Sequence, residues 1–273
     1  MFSRNGDIWQ GCCYLRNSDQ IVADQALIRG GASGVPAYGK IVVFATSMRN
    51  NYFHWHLDCL AGLRHITRHS HLTDAIVLGP ALNPWQRDSL KLLGVVDYAE
   101  SGALVYAENI ITSAYTDGRG IFPDANVAET FRYIRSQTDS MATELARSSH
   151  ELLFVSRADA TVRVLENENE LWVALAERGF HRIVPSQLSY LEQISAFSRA
   201  RVVVATHGVG MTNIGFANPG TEIHEVRHRS YANPCFEHLG LLFGHRYHLH
   251  LINGDVPYRL DVASFVSHVD DLM

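Results

Sequence analysis

The stretch that most constrains the fold runs from Arg201 to Val226 and reads RVVVATHGVGMTNIGFANPGTEIHEV. It opens with the run Val202–Val204, a composition typical of a strand that is buried on both faces. After a glycine-containing break we expect a short helix over Met211–Ala217. The turn Asn218-Pro219-Gly220 then leads into a second strand over Thr221–Val226. This order of elements predicts a parallel sheet with a binding loop at a strand end.

The break between these two strands, Thr206-His207-Gly208-Val209-Gly210, predicts an anion-binding loop. Glycine tolerates positive φ, so we expect successive backbone N–H groups to point at one oxyanion. The N-terminus of the following helix adds a favourable dipole. Phosphate is therefore the expected ligand.

Composition limits the class of protein. A chain of 273 residues, 47% of them hydrophobic and 19% charged, is globular and long enough for two domains. A net charge of −5 and a pI near 6.3 argue against a general affinity for nucleic acid. Cys12, Cys13, Cys59 and Cys235 have no framework spacing, which predicts free thiols in a reducing compartment. Without an N-terminal h-region or an apolar run of membrane length, we expect a cytoplasmic protein.

Strand-like and helix-like segments alternate along the rest of the chain, which predicts an α/β fold with doubly wound parallel sheets. A break near Arg147-Ser148-Ser149-His150 predicts a first domain over residues 1–148 and a second over 149–257. Residues 258–273 are amphipathic, and we expect them to pack back on the first domain. The expected strands are Ile41–Ala45, Ala75–Leu78, Leu104–Thr112, Leu152–Ser156 and Arg182–Val184, and the expected helices are Tyr52–Arg68, Pro84–Leu93, Asp124–Arg147, Glu168–Arg178 and Tyr190–Ala200.

The helix expected after the first strand carries a second candidate site. At about 100° per residue, Asn51, His54 and Asp58 share one face, opposite an apolar face with Phe53 and Leu57. An imidazole beside a carboxylate can take a proton from a hydroxyl, with the carboxylate either raising the basicity of the imidazole or acting as the base. The structural alternative is that Asn51 caps the helix and Asp58 is a surface group.

A metal-site hypothesis uses the same segment, because His54-x-His56-x-Asp58 is similar to a zinc-hydrolase motif. On a helix, however, His54 and His56 lie roughly 200° apart and cannot share an ion. Cys59 also stands where metallo-β-lactamase-like enzymes carry another histidine. The other clustered histidines lack a cysteine or carboxylate at ligand spacing, so we interpret them as surface or core groups: His65, His69, His71, His245, His248 and His250.

Four blocks of sequence together resemble glycosyltransferase family 61. They are Asn51-Tyr52-Phe53-His54-Trp55 with Asp58; Ser156-Arg157 with Arg163 and Asn167-Glu168; Tyr190-Leu191-Glu192-Gln193 leading to Phe197; and His207-Gly208-x-Gly210-x-x-Asn213 with Phe216, Pro219-Gly220 and Glu225. The match spans roughly residues 40–226 and is specific because the four blocks occur in the expected order. Val209 replaces the alanine usual in the loop, and Gly62 stands where many members have arginine.

The resemblance implies an inverting transferase of the GT-B architecture, with two Rossmann-like domains facing across a cleft, of the bacterial capsular or exopolysaccharide type. It implies a nucleotide-sugar donor with uracil as the expected base. Arg157 would pair with a diphosphate oxygen, Glu225 would accept the ribose hydroxyls, and Asn51 would lie on the acceptor side. The implied donor-binding residues are Arg157, Arg163, Asn167, Glu168, His207, Gly208, Gly210, Met211, Thr212, Asn213 and Glu225.

For the chemical step we expect Asp58 as the base and His54 as its positioning partner. No Asp-x-Asp pair occurs in the sequence, so we expect no metal and no other cofactor, with arginines and backbone amides stabilising the departing diphosphate. The expected partners are a nucleotide-sugar donor and a glycan or other saccharide acceptor. We expect no nucleic acid and no integral membrane segment, and the sequence is compatible with a homo-oligomer. The alternatives are a zinc-dependent hydrolase built on the histidines and a non-catalytic nucleotide-sugar-binding protein.

Overall fold

The chain forms two compact units, Met1–Gly120 and Ile121–Met273, and each contains one parallel sheet. The α/β class with parallel sheets is therefore confirmed. Cys12 and Cys13 lie outside the described part of the chain. The computed structural model describes residues 36–44, 49–69, 74–101, 105–113, 123–138, 150–254 and 257–273.

The first unit contains a four-stranded sheet in the order β3-β2-β1-β4, and all its strand pairs are parallel. The central strand β1 buries Ile41 and Val42, as the predicted strand there requires. The short strand β3 was not predicted. The strands are β1 (Ala37–Val43), β2 (Ile76–Gly79), β3 (Tyr98–Glu100) and β4 (Tyr106–Thr112).

Two helices follow strands of this sheet. Helix α1 begins as Tyr52–His54, passes through a π-helical segment at Trp55–Leu60 and continues as Ala61–His69, where the sequence predicted one regular helix. The wider turn surrounds Trp55, which is completely buried and donates its indole N–H to Ser89 Oγ at 2.9 Å. Such π-helical turns are rare and are frequent at functional sites. Helix α2 spans Pro84–Leu92.

The second unit contains a five-stranded sheet in the order β6-β5-β7-β8-β9, again parallel throughout. All five residues of β7 are buried, as the valine run predicted. Strand β9 was not predicted, although its polar and apolar residues alternate, because its histidines were interpreted only as surface or core groups. The strands are β5 (Leu152–Val155), β6 (His181–Ile183), β7 (Val202–Thr206), β8 (Glu222–His228) and β9 (Arg246–Ile252).

The described ranges of the second unit contain five α-helices. A capping box begins α5, since Ser189 and Glu192 satisfy each other's backbone N–H groups. Helix α6 was not predicted. Within the described ranges, no helix combines the length and the apolar character needed to cross a bilayer. The helices are α3 (Ala125–Thr138), α4 (Glu168–Ala176), α5 (Tyr190–Arg199), α6 (Cys235–Phe243) and α7 (Val262–Asp270).

Helices α3 and α7 both pack in the second unit, and this differs from the predicted domain division. Helix α7 buries Phe265 and Val269 in the core of the second unit, beside Phe154, whereas the sequence predicted that residues 258–273 pack on the first domain. Helix α3 also belongs to the second unit, because Arg135 donates to the Phe216 carbonyl oxygen at 3.0 Å. The division therefore falls at 120/121, where we expected 148/149; residues 139–149 lie outside the described ranges.

The histidines on β8 and β9 make stability depend on pH. Burial, then the neighbouring histidines, lower the pKa of His224 to about 3, and the same causes lower that of His250 to about 4. Both imidazoles therefore stay neutral in the folded chain. In the unfolded chain, each takes up a proton once the pH falls below the ordinary histidine pKa of about 6.5. Stability is thus fully present above that value and is lost as the pH falls through it.

We expect the free energy of unfolding, measured by urea denaturation, to fall between pH 7.5 and 5.5 by about 1.4 kcal/mol for each such histidine. In the variant His224→Gln, the free energy of unfolding should fall by about 1.4 kcal/mol less than in the wild type over this pH range, since one titrating group is removed. An equal fall in both proteins would show that His224 titrates normally in the folded state.

Candidate functional site

The loops after β5 and β7 meet where the strand order of the second sheet reverses. In open parallel sheets, this switch point leaves a crevice at the carboxyl ends of the strands, and ligands bind there. Arg157 follows β5 and His207 follows β7. Arg157 Nη1 donates to the His207 carbonyl oxygen, so the structure brings these two predicted site residues together.

Gly208 allows the Arg157 side chain to lie directly against the loop. A Cβ atom at Gly208 would lie 2.8 Å from Arg157 Nε and 2.9 Å from its Cδ and Cζ. A Cβ atom at Gly210 would lie 3.1 Å from Pro185 Cγ. Neither glycine has positive φ, and Gly208 is extended at 176°. The predicted positive-φ cradle is therefore wrong, and these glycines serve close packing.

Two guanidinium groups lie near this loop. Arg157 Nη2 donates to the Val162 carbonyl oxygen at 3.1 Å. Burial, followed by the positive charge of Arg163, lowers the pKa of Arg157. Arg163 Cζ lies 4.5 Å from the centroid of the Tyr231 ring, and its buried Nε has no hydrogen-bond partner among the residues described. Because an anion would relieve the repulsion between the two cations, the pair favours a phosphate ligand.

The backbone at Arg163 is held in an unusual conformation. Its φ is 53°, in the left-handed region that non-glycine residues seldom adopt. The Tyr258 hydroxyl donates to the Arg163 carbonyl oxygen at 2.9 Å and fixes it. Such strain costs on the order of 1 kcal/mol and is concentrated at ligand-binding sites, which agrees with a binding role for this loop.

Glu168 and Asn167, both predicted to bind the donor, make structural contacts. The Glu168 carboxylate accepts from the Ser156 hydroxyl at 2.5 Å, from the Arg157 backbone N–H at 3.1 Å and from Arg182 Nη2 at 3.3 Å. It therefore fixes the end of β5. The Asn167 side chain donates to the Leu260 carbonyl oxygen and accepts from its N–H, at 2.9 and 3.0 Å. The Asn167 side chain does not cap α4.

Glu225 orients His207 from below the loop. The Glu225 side chain is fully buried, and its Oε1 contacts His207 Nδ1. Its Oε2 accepts from the Tyr247 hydroxyl at 2.9 Å. Because both oxygens are engaged inside the protein, the predicted contact with ribose does not fit this arrangement. Nδ1 of His207 is occupied, which leaves Nε2 as the ring nitrogen for a ligand.

The remaining predicted loop residues are buried in the 3₁₀-helix Val209–Phe216, where we expected a short helix over Met211–Ala217. Met211, Thr212 and Asn213 are all completely buried. The Asn213 amide donates to Gln193 Oε1 at 2.9 Å and to the Gly210 carbonyl oxygen at 3.3 Å. These side chains stabilise the loop and do not face solvent.

In the first unit, His54 and Asp58 form the predicted pair. Helix α1 follows β1, at the point where the strand order of that sheet reverses. His54 Nδ1 lies 2.8 Å from Asp58 Oδ2. The His54 side chain is 18% exposed and that of Asp58 only 2%. The imidazole is therefore the member that a substrate hydroxyl can reach, and the carboxylate lies behind it.

Asn51 caps α1. Its Oδ1 accepts the backbone N–H groups of Phe53 and His54 at 3.0 and 3.4 Å. This is the structural alternative considered from the sequence, and it fixes the backbone that carries His54. The acceptor-side role of Asn51 stays a prediction.

The histidine next to the pair has a structural role. His56 is buried, its Nδ1 contacts the Tyr52 carbonyl oxygen at 2.7 Å, and desolvation lowers its pKa to about 4. Among the residues that the structure describes, no three histidine, cysteine or acidic side chains lie together as metal ligands would. Cys59 and Cys235 are buried thiols that form no disulfide. His71 and the side chain of His69 lie outside what is described.

Comparison with known proteins identifies the family. Residues 52–224 match the family model of glycosyltransferase 61. The chain therefore belongs to the glycosyltransferase 61 family. It is also 30% identical over 149 residues to an Arabidopsis thaliana protein named "Beta-1,2-xylosyltransferase". That alignment covers 46% of this chain and 27% of the relative, so the chain matches about a quarter of the relative's length.

Sequence reasoning missed the aromatic residues of the site. Tyr231 lies between Arg163 and His207, with its ring centroid 4.6 Å from that of His207. Tyr247 contacts Glu225, and Tyr258 holds Arg163. These contacts depend on strand pairing and on a loop after β8, and no local pattern in the sequence marks them. The strand pairing aligns Tyr247 with Ile223, two residues before Glu225 on β8.

Gly208→Ala tests the packing of Arg157. The new methyl group should displace the guanidinium from the loop and weaken the binding of UDP, the nucleotide expected from the sequence, by about 1.5–3 kcal/mol, the range for a hydrogen bond to a charged group. Arg157→Ala should cost about the same, and the double variant no more than either, because both changes remove one interaction.

Gly39→Ala is the matched control, since nothing lies within 4 Å of the Cβ position there. Titration calorimetry gives the affinity for UDP of the wild type and of the four variants. Additive losses in the double variant would show that Gly208 acts independently of Arg157.

Proposed function

We propose that this protein transfers a sugar from a nucleotide-diphosphate donor, with UDP as the expected nucleotide, to a hydroxyl of a glycan or other acceptor. The observation that carries the proposal is the pair of arginines, Arg157 and Arg163, at the switch point of the second sheet. Membership of the glycosyltransferase 61 family supports the reaction class. Two parallel sheets, one in each unit, support a transferase of the GT-B type.

The arginines would hold the diphosphate. A planar guanidinium donates two parallel hydrogen bonds to phosphate oxygens. Arg157 is fixed by backbone carbonyls on two sides, so its position costs little entropy on binding. Since the sequence has no Asp-x-Asp pair, we propose that the charge of the departing diphosphate is stabilised by Arg157, Arg163 and His207 without a metal.

His54 is the proposed general base, and Asp58 is its orienting partner. This reverses the assignment expected from the sequence, because Asp58 is buried behind the imidazole. The carboxylate accepts from Nδ1–H, so the lone pair of Nε2 is free for the acceptor hydroxyl. As the hydroxyl oxygen bonds to the anomeric carbon, Nε2 takes its proton and the bond to the diphosphate oxygen breaks. This single displacement inverts the anomeric centre.

The sugar belongs to the pentoses or hexoses. The name of the plant relative refers to xylosyl transfer, so UDP-xylose is the first donor to test, with UDP-hexoses beside it. Release of UDP in the presence and absence of saccharide acceptors, with EDTA present, measures both transfer and donor hydrolysis. Activity that appears only when a divalent metal is added would exclude the metal-independent step.

Variants of the pair distinguish the base from its partner. We expect His54→Gln to lower the rate of UDP release by roughly 100-fold or more, the usual contribution of a general base. Asp58→Asn should lower it less, because the imidazole is still present. Affinity for UDP should not change in either variant, since both residues belong to the first unit.

Asp88→Asn is the matched control, because it removes an exposed carboxylate that makes only a 3.7 Å contact with the exposed Lys91 Nζ in the described ion pairs. Thermal unfolding of each variant shows whether the fold is intact. A larger loss in Asp58→Asn than in His54→Gln would make Asp58 the base.

A further inference from the structure

The buried carboxylate of Glu225 is surrounded by donors from two strands. His207 Nδ1 contacts Oε1, and the Tyr247 hydroxyl on β9 donates to Oε2 at 2.9 Å. Arg227 Nη1, on the same strand as Glu225, lies 3.7 Å from Oε2. A carboxylate removed from water needs such partners, since an unpaired one would cost several kcal/mol. Glu225 is thus held on one side by Tyr247 and Arg227 and contacts His207 on the other.

The His207 residue joins this network to the candidate anion site. Its ring packs between aromatic side chains, with centroids 4.6 Å from Tyr231 and 4.9 Å from Phe236. Its carbonyl oxygen accepts from Arg157 Nη1. Its Nδ1 is used by Glu225, so the orientation and tautomer of the ring are set by the position of that carboxylate.

We propose that Tyr247 is a positioning residue for donor binding, which acts through Glu225 to fix the His207 ring so that Nε2 faces the diphosphate. This inference rests on the proposed function of the same site. Tyr247 is well suited to the role, because it occupies Oε2 and leaves only Oε1 for the imidazole. Among the contacts of the described residues, none joins Tyr247 to Arg157 or Arg163, so its effect on binding passes through His207.

The hydroxyl of Tyr247 can act only as a donor here. Desolvation, together with the adjacent Glu225 carboxylate, raises the pKa of Tyr247 well above its usual value. The phenol therefore keeps its proton over the whole working pH range. Burial and the same carboxylate raise the pKa of Cys235 to about 12, so this neighbouring thiol also stays neutral and does not compete as a charge.

A double-mutant cycle tests the route through His207. Tyr247→Phe should weaken UDP binding about tenfold in the otherwise wild-type chain, as expected for losing one hydrogen bond to a charged group. In a His207→Gln background it should have no further effect, because the group it positions is gone. Tyr98→Phe is the control, since it removes a hydroxyl that donates to the Pro80 carbonyl oxygen in the first unit. Unchanged affinity in Tyr247→Phe, or an equal loss in both backgrounds, would overturn the inference.

NMR of the ring nitrogens tests the same inference without a nucleotide. With ¹⁵N-labelled histidine, the signals of His207 are those lost in His207→Gln. We expect one tautomer with the proton on Nδ1 in the wild type, and a shift toward exchange between tautomers in Tyr247→Phe. Unchanged signals would contradict the inference. A wild-type protein that binds no UDP would instead reject the proposed function, and the spectrum would still decide the role of Tyr247.

Discussion

The contact between Arg157 and Gly208 is the interaction on which the rest of the candidate site depends. It exists only because β5 and β7 are neighbours in the sheet, so that the ends of both strands open at one edge. Ser156 and Glu168 fix the chain on the β5 side, and the His207 carbonyl oxygen receives the guanidinium on the β7 side. A side chain larger than glycine at position 208 would occupy the space of the guanidinium.

The same carboxylate–imidazole contact occurs once in each unit. In each, a buried carboxylate contacts Nδ1 of a histidine that follows a strand at the switch point: Asp58 with His54, and Glu225 with His207. This arrangement sets the tautomer and directs Nε2 outward. We propose different tasks for the two rings, with His54 taking a proton and His207 contacting an anion. The difference comes from their surroundings, because His207 lies beside Arg157, whereas no ion pair among the described residues joins His54 to a cation.

Sequence reasoning identified the positions of the site better than their roles. The buried valine run of β7, the loop after it and the pair on α1 follow from composition and from helical periodicity, which are local properties. The π-helical segment at Trp55–Leu60 depends on how Trp55 packs, and no periodicity marks it. Glu225 was predicted to contact ribose, whereas the structure buries it against His207 and Tyr247. This burial depends on tertiary contacts that the local sequence does not show. The positive φ predicted for Gly208 is wrong for a similar reason. Glycine is needed there because the Arg157 side chain, distant in sequence, packs against it.

In the proposed function, the arginine-containing loop of the second unit binds the diphosphate of a nucleotide. Titration calorimetry with UDP and with UMP at one fixed ionic strength tests this binding, because the two ligands differ only in the β-phosphate. Contacts of Arg157 and Arg163 with both phosphates predict that UDP binds at least about tenfold more tightly, a difference of about 1.4 kcal/mol. Equal affinities for UDP and UMP would show that these arginines do not recognise a diphosphate, and the account of the site would be wrong.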